Sequence, residues 1–196
     1  MRDVGVDDAT ISAITERADV GFGTFYNYFA SKDALAAEVL DCVIDNLGRR
    51  NDSVTVQLGE TDPVRIVANS VRLVARAMLT EPMWRWWVAH PGLVVDRMRE
   101  GLRPYGLRDF RRVAAEGHFE LIGSDVELAW SHHTWLLAGG VRDVLDGVHD
   151  PATESRIAEA VLRVLGVDRA AASAATTTEL PDSPDVPIDF EFTSGS

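Results

Sequence analysis

Apolar residues recur three or four positions apart along most of the chain, which is the spacing of one face of an α-helix. Clear examples are the stripe from Leu35 to Leu47, the face from Val64 to Met78 and the long face from Val126 to Val148. Alternation typical of a strand extends over only a few residues at a time. The pattern therefore predicts an all-α protein in which a small N-terminal helical unit precedes a larger helical domain.

Polar residues, glycine and proline mark the breaks between these helical segments. Thr10 and Ser31 are placed to cap the helices that follow them. Asp19-Val20-Gly21 predicts a turn between two short helices, the polar stretch 48–62 predicts a linker, and Pro63 is placed to open the next helix. The breaks separate a compact unit at the N-terminus from the rest of the chain.

The C-terminal segment differs from the rest in composition. Residues 168–196 hold six acidic residues, one basic residue and few large apolar ones. Such a segment buries too little surface to offset the entropy lost on ordering, so we expect a mostly disordered acidic tail. The expected division is an N-terminal unit over 1–47, a larger helical domain over 48–167 and this tail.

Composition narrows the class of protein. The chain has 196 residues, 46% of them hydrophobic, and its 31 acidic and 19 basic residues give a net charge of −12. No apolar run approaches the roughly 20 residues that span a bilayer. Cys42 is the only cysteine, which excludes an intrachain disulfide and fits a reducing cytoplasm. We expect a cytoplasmic protein that makes no use of a membrane.

The first fifty residues hold a pattern typical of a helix-turn-helix, two short helices joined by Asp19-Val20-Gly21. The second helix carries aromatic and neutral polar residues where a surface helix is ordinarily rich in Glu and Lys. Hydroxyl and amide groups bond base edges and phosphate oxygens, and a helix N-terminus also favours phosphate. The residues placed for such contacts are Thr24, Tyr26 and Asn27, with Phe22 presented beside them. Lys32, the single lysine of the chain, stands at the start of the following helix.

The stretch from Ala9 to Phe29, followed by Ser31-Lys32-Asp33-Ala34-Leu35, resembles the DNA-binding region of the TetR family of bacterial transcriptional regulators. The run from Gly23 to Lys32 is a highly specific match to the recognition helix and the start of its successor. The rest resembles the family only in layout. The resemblance implies a homodimer, usually a repressor, that binds operator DNA, responds to a small-molecule effector and needs no cofactor.

The resemblance also implies roles for individual residues. The residues that would contact DNA phosphates are Thr10, Ser12 and Lys32. The residues that would face the groove are Phe22, Thr24, Tyr26 and Asn27. The residues that would pack the helices of this unit together are Ile14, Phe25, Phe29 and Leu35. A half-buried aromatic is the alternative interpretation of Tyr26, and burial is the expectation for Tyr28.

Two departures from the family keep a second hypothesis open. The family has a further helix before this motif, and only Asp3-Val4-Gly5 stands where that helix should end. Phe22 occupies a position at which the family often has a lysine, which removes one phosphate contact. A truncated ligand-binding or interaction protein that has lost DNA binding is therefore the alternative function.

The tryptophans of the larger domain suggest where an effector binds. All five fall in two segments, 84–87 and 130–135, and aromatic rings give a cavity broad apolar walls. The candidate residues for an apolar effector are Trp84, Trp87, Trp130, His133 and Trp135, with core packing as the alternative. The helix from Pro63 to Thr80 is the expected lever, since it follows the linker.

Other chemistry finds little support. His132 and His133 are neighbours and point about 100° apart on a helix, so they make no metal-binding pair. No nucleophile triad spacing, glycine-rich phosphate loop or paired carboxylate motif is present. We therefore expect neither an enzyme nor a metal site. An arginine-rich stretch over 97–112 predicts a solvated face with ion pairs, or alternatively a contact for an acidic effector or the tail.

The last two long helices, over 125–147 and 152–165, carry wide apolar faces. Two such helices from each subunit form a four-helix interface with two-fold symmetry. Leu162 is the residue expected at its centre.

Overall fold

The computed structural model describes residues 6–150, 153–180 and 186–188, and within these ranges the chain is helical and contains no strand. The all-α prediction is confirmed. In chain order the helices are α1 (Ile11–Arg17), α2 (Phe22–Tyr28), α3 (Lys32–Leu58), α4 (Pro63–Thr80), α5 (Trp84–Val88), α6 (Pro91–Gly101), α7 (Arg108–Ala115), α8 (Val126–Leu145), α9 (Glu154–Val164) and α10 (Arg169–Thr176).

Side-chain caps fix the start of the N-terminal helices as predicted. The Thr10 hydroxyl accepts the Ala13 N–H at 3.1 Å, and the Ser31 hydroxyl accepts the Ala34 N–H at 3.1 Å. Each bond satisfies one of the N–H groups that a helix start leaves unpaired. The turn between α1 and α2 places Asp19 in the left-handed region, with φ of 54°.

The expected linker over 48–62 is wrong for residues 48–58, because α3 continues without a break to Leu58. Packing decides this: Val54 is buried against Leu73 and Leu180, which are distant in sequence. The helix ends at Gly59, where a φ of 59° suits glycine. A single helix of 27 residues therefore joins the N-terminal unit to the larger domain.

The core of the larger domain surrounds α4, which is buried along most of its length. Pro63 opens this helix as predicted, and the Asp62 carboxylate accepts the Val64 N–H at 2.9 Å. Helices α7, α8, α9 and α10 pack around it. Apolar burial around this helix supplies the main stabilisation of the domain.

A π-helical turn over Arg103–Leu107 joins α6 to α7. The turn places the Tyr105 ring against Gly48 of α3, where an added Cβ would lie 2.2 Å from a ring carbon. Glycine at position 48 thus permits α3 and the π-helical turn to approach closely.

The prediction of a disordered tail is wrong for residues 168–180. Asp168 caps α10 by accepting the Ala170 N–H at 2.8 Å, and Ala172 and Ala175 are buried against α4 and α9. The segment is poor in large apolar residues, but small side chains permit close helix contact. Residues 181–185 and 189–196 lie outside the described part of the chain.

A second anchor holds the end of the described chain to α3. The buried Asn46 amide donates to the carbonyl oxygens of Val186 and Pro187, at 2.8 and 3.0 Å. Ile188 packs against the main core.

Candidate DNA-binding surface and effector pocket

The exposed face of α2 carries two aromatic rings. Phe22 and Tyr26 lie one turn apart, are 54% and 51% exposed, and contact each other edge to face with ring centroids 5.6 Å apart. Asn27 is exposed beside them and Thr24 is half-buried. Phe25 is buried on the other side, where it contacts Phe29. The helix therefore presents an aromatic and amide surface without charged side chains.

Tyr28 is 67% exposed, so the expectation that it is buried is wrong. It is the last residue of α2, and the described elements leave most of it uncovered. Its phenol joins Tyr26 and Asn27 among the polar groups that this unit presents to the outside. The motif alone did not separate Tyr28 from the packing residues, because both kinds of position hold aromatics.

Candidate phosphate contacts flank α2. Ser12 and Thr10 are exposed at the start of α1. The Thr10 oxygen accepts a backbone N–H, which leaves its O–H as a donor. The Lys32 ammonium donates to the Asp7 carbonyl oxygen at 3.0 Å and keeps two further N–H donors.

The N-terminal segment also connects the unit to the larger domain. Val6 and Ala9 are buried, and the Trp86 indole N–H donates to the Asp7 carboxylate at 2.9 Å. The segment before α1 thus contacts both α3 and α5.

A pocket lies between α3, α4, the π-helical turn, α7 and α8. Its empty space is about 560 Å³, including the part open to solvent. Most of the lining is apolar, from Val67, Val71, Val74, Leu102, Phe110, Trp130 and Leu137. Polar groups come from Asn51, Asp52, Thr55, Ser70, Tyr105, Asp109 and His133.

Of the five residues predicted for the effector, Trp130 and His133 line this pocket and the other three do not. Trp84 and Trp87 are buried against each other with ring centroids 5.3 Å apart, and the Trp87 indole donates to the Ala36 carbonyl at 3.2 Å. Trp135 is 48% exposed on the outer side of α8. For Trp84 and Trp87 the alternative interpretation, core packing, fits the structure.

Sequence reasoning missed the contribution of α3 to the pocket. Asn51 and Thr55 lie in the stretch that the sequence assigned to a linker, and Tyr105 lies in the π-helical turn. Gly106 faces Trp130, where an added Cβ would come within 2.7 Å of the indole. The sequence feature that could have indicated this contribution is the pair Gly48 and Gly106, each of which lies against an aromatic ring. A glycine alone, however, does not show which ring packs against it.

Most polar groups of the pocket are engaged by neighbouring side chains or backbone. Arg108 donates to Asp52 at 2.7 Å and to Asp109 at 3.1 Å. The Tyr105 hydroxyl donates to Asp45 at 2.6 Å. Burial, with this bond as the next cause, raises the pKa of Tyr105 to about 12, so its phenol is neutral at physiological pH.

His133 is a buried polar side chain in the pocket wall. Its ring lies 4.4 Å from Trp130 and 4.6 Å from Phe110, measured between centroids. Burial lowers the pKa of His133 to about 4, although its bond to the Trp130 carbonyl acts in the opposite direction. The imidazole is therefore neutral at physiological pH.

The arginine-rich stretch carries ion pairs, as the first interpretation predicted. The pairs are Arg97–Asp41, Arg99–Asp96, Arg103–Glu127, Arg108–Asp52, Arg111–Glu127 and Arg112–Glu116. Most of these side chains are substantially exposed, so individual pairs add little stability.

Helices α8 and α9 each carry exposed apolar side chains, with Leu128, Trp135 and Val164 at 40%, 48% and 59% exposure. Gly139 adds open space on α8, since nothing lies within 4 Å of a Cβ built there. Leu162, expected at the centre of a dimer contact, is instead fully buried within the subunit. The choice of Leu162 is therefore wrong, because it lies on the inner face of α9.

Two further findings concern only the described part of the chain. No helix in it is long and apolar enough to cross a membrane. None of its His, Cys, Asp and Glu side chains gather in threes or more with the spacing that would hold a metal ion.

Comparison with known families agrees with this architecture. Residues 1–39 match the family described as bacterial regulatory proteins of the tetR family. Residues 62–177 match the tetracyclin repressor-like C-terminal domain, which is more than half of the chain. The chain belongs to the TetR family. It therefore combines a DNA-binding helix-turn-helix with the helical regulatory domain of this family.

Solved structures of other TetR-family regulators resemble the chain along most of its length. RolR without ligand has 28% sequence identity and a TM-score of 0.81, with 91% of each chain covered. RolR in complex with resorcinol has 29% identity and a TM-score of 0.84, covering 94% of this chain and 90% of RolR. AmtR of Mycobacterium smegmatis, at 22% identity and a TM-score of 0.54 over 87% and 84% of the chains, shares the fold. Among functionally curated proteins none matches the sequence.

Proposed function

We propose that this TetR-family regulator is a homodimeric repressor that a small aromatic effector releases from a near-palindromic operator. The family supports a ligand-responsive transcriptional regulator. The RolR complex with resorcinol supports an aromatic effector in a domain of this shape. The pocket walls of Phe110 and Trp130 suit such a ring.

The observation that carries the proposal is the continuity of α3. This helix begins at Lys32 in the DNA-binding unit and reaches the pocket at Gly48, Asn51 and Thr55 without a break. A ligand that displaces the pocket end of a rigid helix also displaces its other end. The lever is therefore α3, and not the Pro63–Thr80 helix that the sequence favoured, since among the described helices α3 connects the two regions.

On the DNA side, α2 enters the major groove with Phe22, Tyr26 and Asn27 toward the bases and Thr24 at its edge. Thr10, Ser12 and Lys32 contact phosphate on either side. In a dimer the two recognition helices read half-sites about 34–36 Å apart, or a multiple of this spacing. Effector binding changes that spacing and weakens operator binding.

Dimerisation uses the exposed surface of α8 and α9 with Leu128, Trp135 and Val164 at its centre. Trp135 thus has a role in this proposal, but as an interface residue rather than an effector ligand. Exposed tryptophans are frequent anchors of protein interfaces. Val164→Glu keeps the core intact and is the better test of the dimer than a change at the buried Leu162.

Fluorescence anisotropy with DNA from the region beside the gene tests the proposal. We expect the wild type to bind this DNA specifically. Tyr26→Ala should weaken binding to the specific site, and Lys32→Ala should weaken binding to DNA of every sequence. Ile122→Ala, at a highly exposed site remote from the motif, is the matched control. Saturating resorcinol or phenol should weaken operator binding by about 5–150-fold, the usual range of allosteric coupling.

Two results would contradict different parts of the proposal. Absence of specific DNA binding by a folded dimer would favour the ligand-binding protein without DNA binding. Unchanged operator affinity in the presence of a bound aromatic would leave the regulator without this switch.

A further inference from the structure

The protein fixes the tautomer of one imidazole in the pocket wall, that of His133. His133 Nδ1 lies 2.6 Å from the Trp130 carbonyl oxygen. A carbonyl oxygen only accepts, so Nδ1 must carry the proton and donate. In the neutral ring the other nitrogen, Nε2, then has a lone pair and no proton.

Nε2 is directed away from the backbone of α8. Nδ1 bonds to a carbonyl one turn earlier in the same helix, and Nε2 lies on the other side of the ring. His133 lines the pocket, and the described residues place no donor on Nε2. Nε2 keeps a lone pair that is accessible from the pocket, so a ligand O–H or N–H can donate to it. In a largely apolar pocket this hydrogen bond is electrostatically stronger than the same bond in bulk water.

The remaining lining selects the charge of the ligand. Asp52 and Asp109 both contribute to the pocket wall, and no lysine or arginine is among its described lining residues. Arg108, the nearby cation, already bonds to both carboxylates. A ligand carboxylate would meet two carboxylates and a neutral imidazole, which disfavours an aromatic acid.

We propose that the pocket selects a neutral hydroxy-aromatic compound, whose hydroxyl group donates a hydrogen bond to His133 Nε2 while its ring lies against Phe110 and Trp130. This inference rests on the proposed effector function and adds a rule of selection to it. His133 would read the O–H of the ligand, and the flanking carboxylates would exclude anions.

Matched ligands test the rule directly by titration calorimetry on the full-length protein. Resorcinol has two hydroxyl donors, 1,3-dimethoxybenzene keeps the ring and both oxygens but has no donor, and benzoate carries a negative charge. For the wild type we expect resorcinol to bind at least tenfold more tightly than either of the other two, since a site built around a hydrogen bond rejects analogues that cannot make it.

His133→Phe removes the acceptor and keeps an aromatic ring between Phe110 and Trp130. We expect this variant to bind resorcinol and 1,3-dimethoxybenzene with affinities within about threefold of each other. His132→Gln, at the exposed neighbouring position, should keep the wild-type preference. Circular dichroism and operator binding without ligand establish that each variant is folded.

The outcomes separate this inference from the proposed function. Equal binding of the hydroxyl and methoxy compounds by the wild type would overturn the inference, as would failure of both to bind. A preference retained in His133→Phe would assign it to another group. Should His133→Phe fail to fold, 1,3-dimethoxybenzene on the wild type still decides the matter. Selective binding without any change in operator affinity would instead overturn the proposed switch.

Discussion

The candidate DNA-binding surface and the candidate effector pocket are assembled in opposite ways. All groups of the recognition surface come from residues 10–32, and its exposed rings lie one turn apart on α2. The pocket draws on residues from Gly48 to Leu137, spread over four helices and a π-helical turn. A local motif therefore determines the first region, whereas the second depends on how distant helices pack.

The two regions also differ in what stabilises them. α2 has seven residues and no side-chain cap, which is too short to be stable alone. It packs against α1, with Phe25 as its buried side chain, whereas the pocket is built into the main core around α4. We therefore expect the DNA-binding unit to be the less stable region.

The largest expected effect separates the regions by removing this anchor. Phe25→Ala should destabilise the N-terminal unit by about 3–5 kcal/mol, the range for truncating a buried Phe. DNA binding should be lost while resorcinol binding persists. Hydrogen exchange should accelerate over residues 9–30 only, and Tyr28→Ala, which truncates an exposed ring, serves as the control. Equal acceleration in α4 would show that the two regions unfold together.

A second effect should arise in the pocket, from His133. Its pKa falls from 6.5 in the unfolded chain to about 4 in the fold, so the unfolded chain binds its proton first as pH decreases. Above pH 6.5 the imidazole is neutral in both states, and His133 does not reduce the free energy of unfolding. As pH falls from 6.5 to 4, protonation of the unfolded chain lowers the free energy of unfolding by at most about 3 kcal/mol.

Urea unfolding across this pH range measures the effect. His133→Phe should flatten the pH dependence of the free energy of unfolding between pH 6.5 and 4. His132→Gln should keep the part of this pH dependence that the buried His133 causes. A wild-type slope that survives in His133→Phe would contradict the burial of a neutral imidazole.

The contrast also explains how far sequence reasoning reached. Thr10, Ser31 and Pro63 mark helix starts through bonds to residues only a few positions away, so these were predictable. The sequence predicts a linker over residues 48–58, which are mostly polar, because the partners that hold Val54 are the distant Leu73 and Leu180. A helix that is stabilised by remote residues shows no local signal.

The same limit applies to the candidate site. Trp130 and His133 were predicted for the pocket from ring chemistry, but the same chemistry also suggested Trp84, which packs in the core. The chemistry of the side chains identifies residues that could form a pocket wall. Only the packing of the helices determines which of them line the pocket and which are buried in the core.

The smallest effect sharpens the description of the recognition surface. Phe22 offers no hydrogen bond, and the apolar group that a major groove presents is the thymine methyl. Replacing one operator thymine by uracil should weaken wild-type binding by about two- to fivefold at the position Phe22 contacts, and should have no effect in Phe22→Ala. Equal losses in both proteins at every thymine would place Phe22 outside the groove.

The most direct test of the central claim is the distance between the two recognition helices in the dimer. A spin label on Ala18→Cys, in a Cys42→Ser background, reports this distance by double electron–electron resonance. We predict one narrow distance distribution with operator DNA and a shifted one with resorcinol, because α3 transmits ligand binding to the DNA-binding unit. An identical distribution with bound resorcinol, accompanied by release from the operator, would contradict transmission through α3.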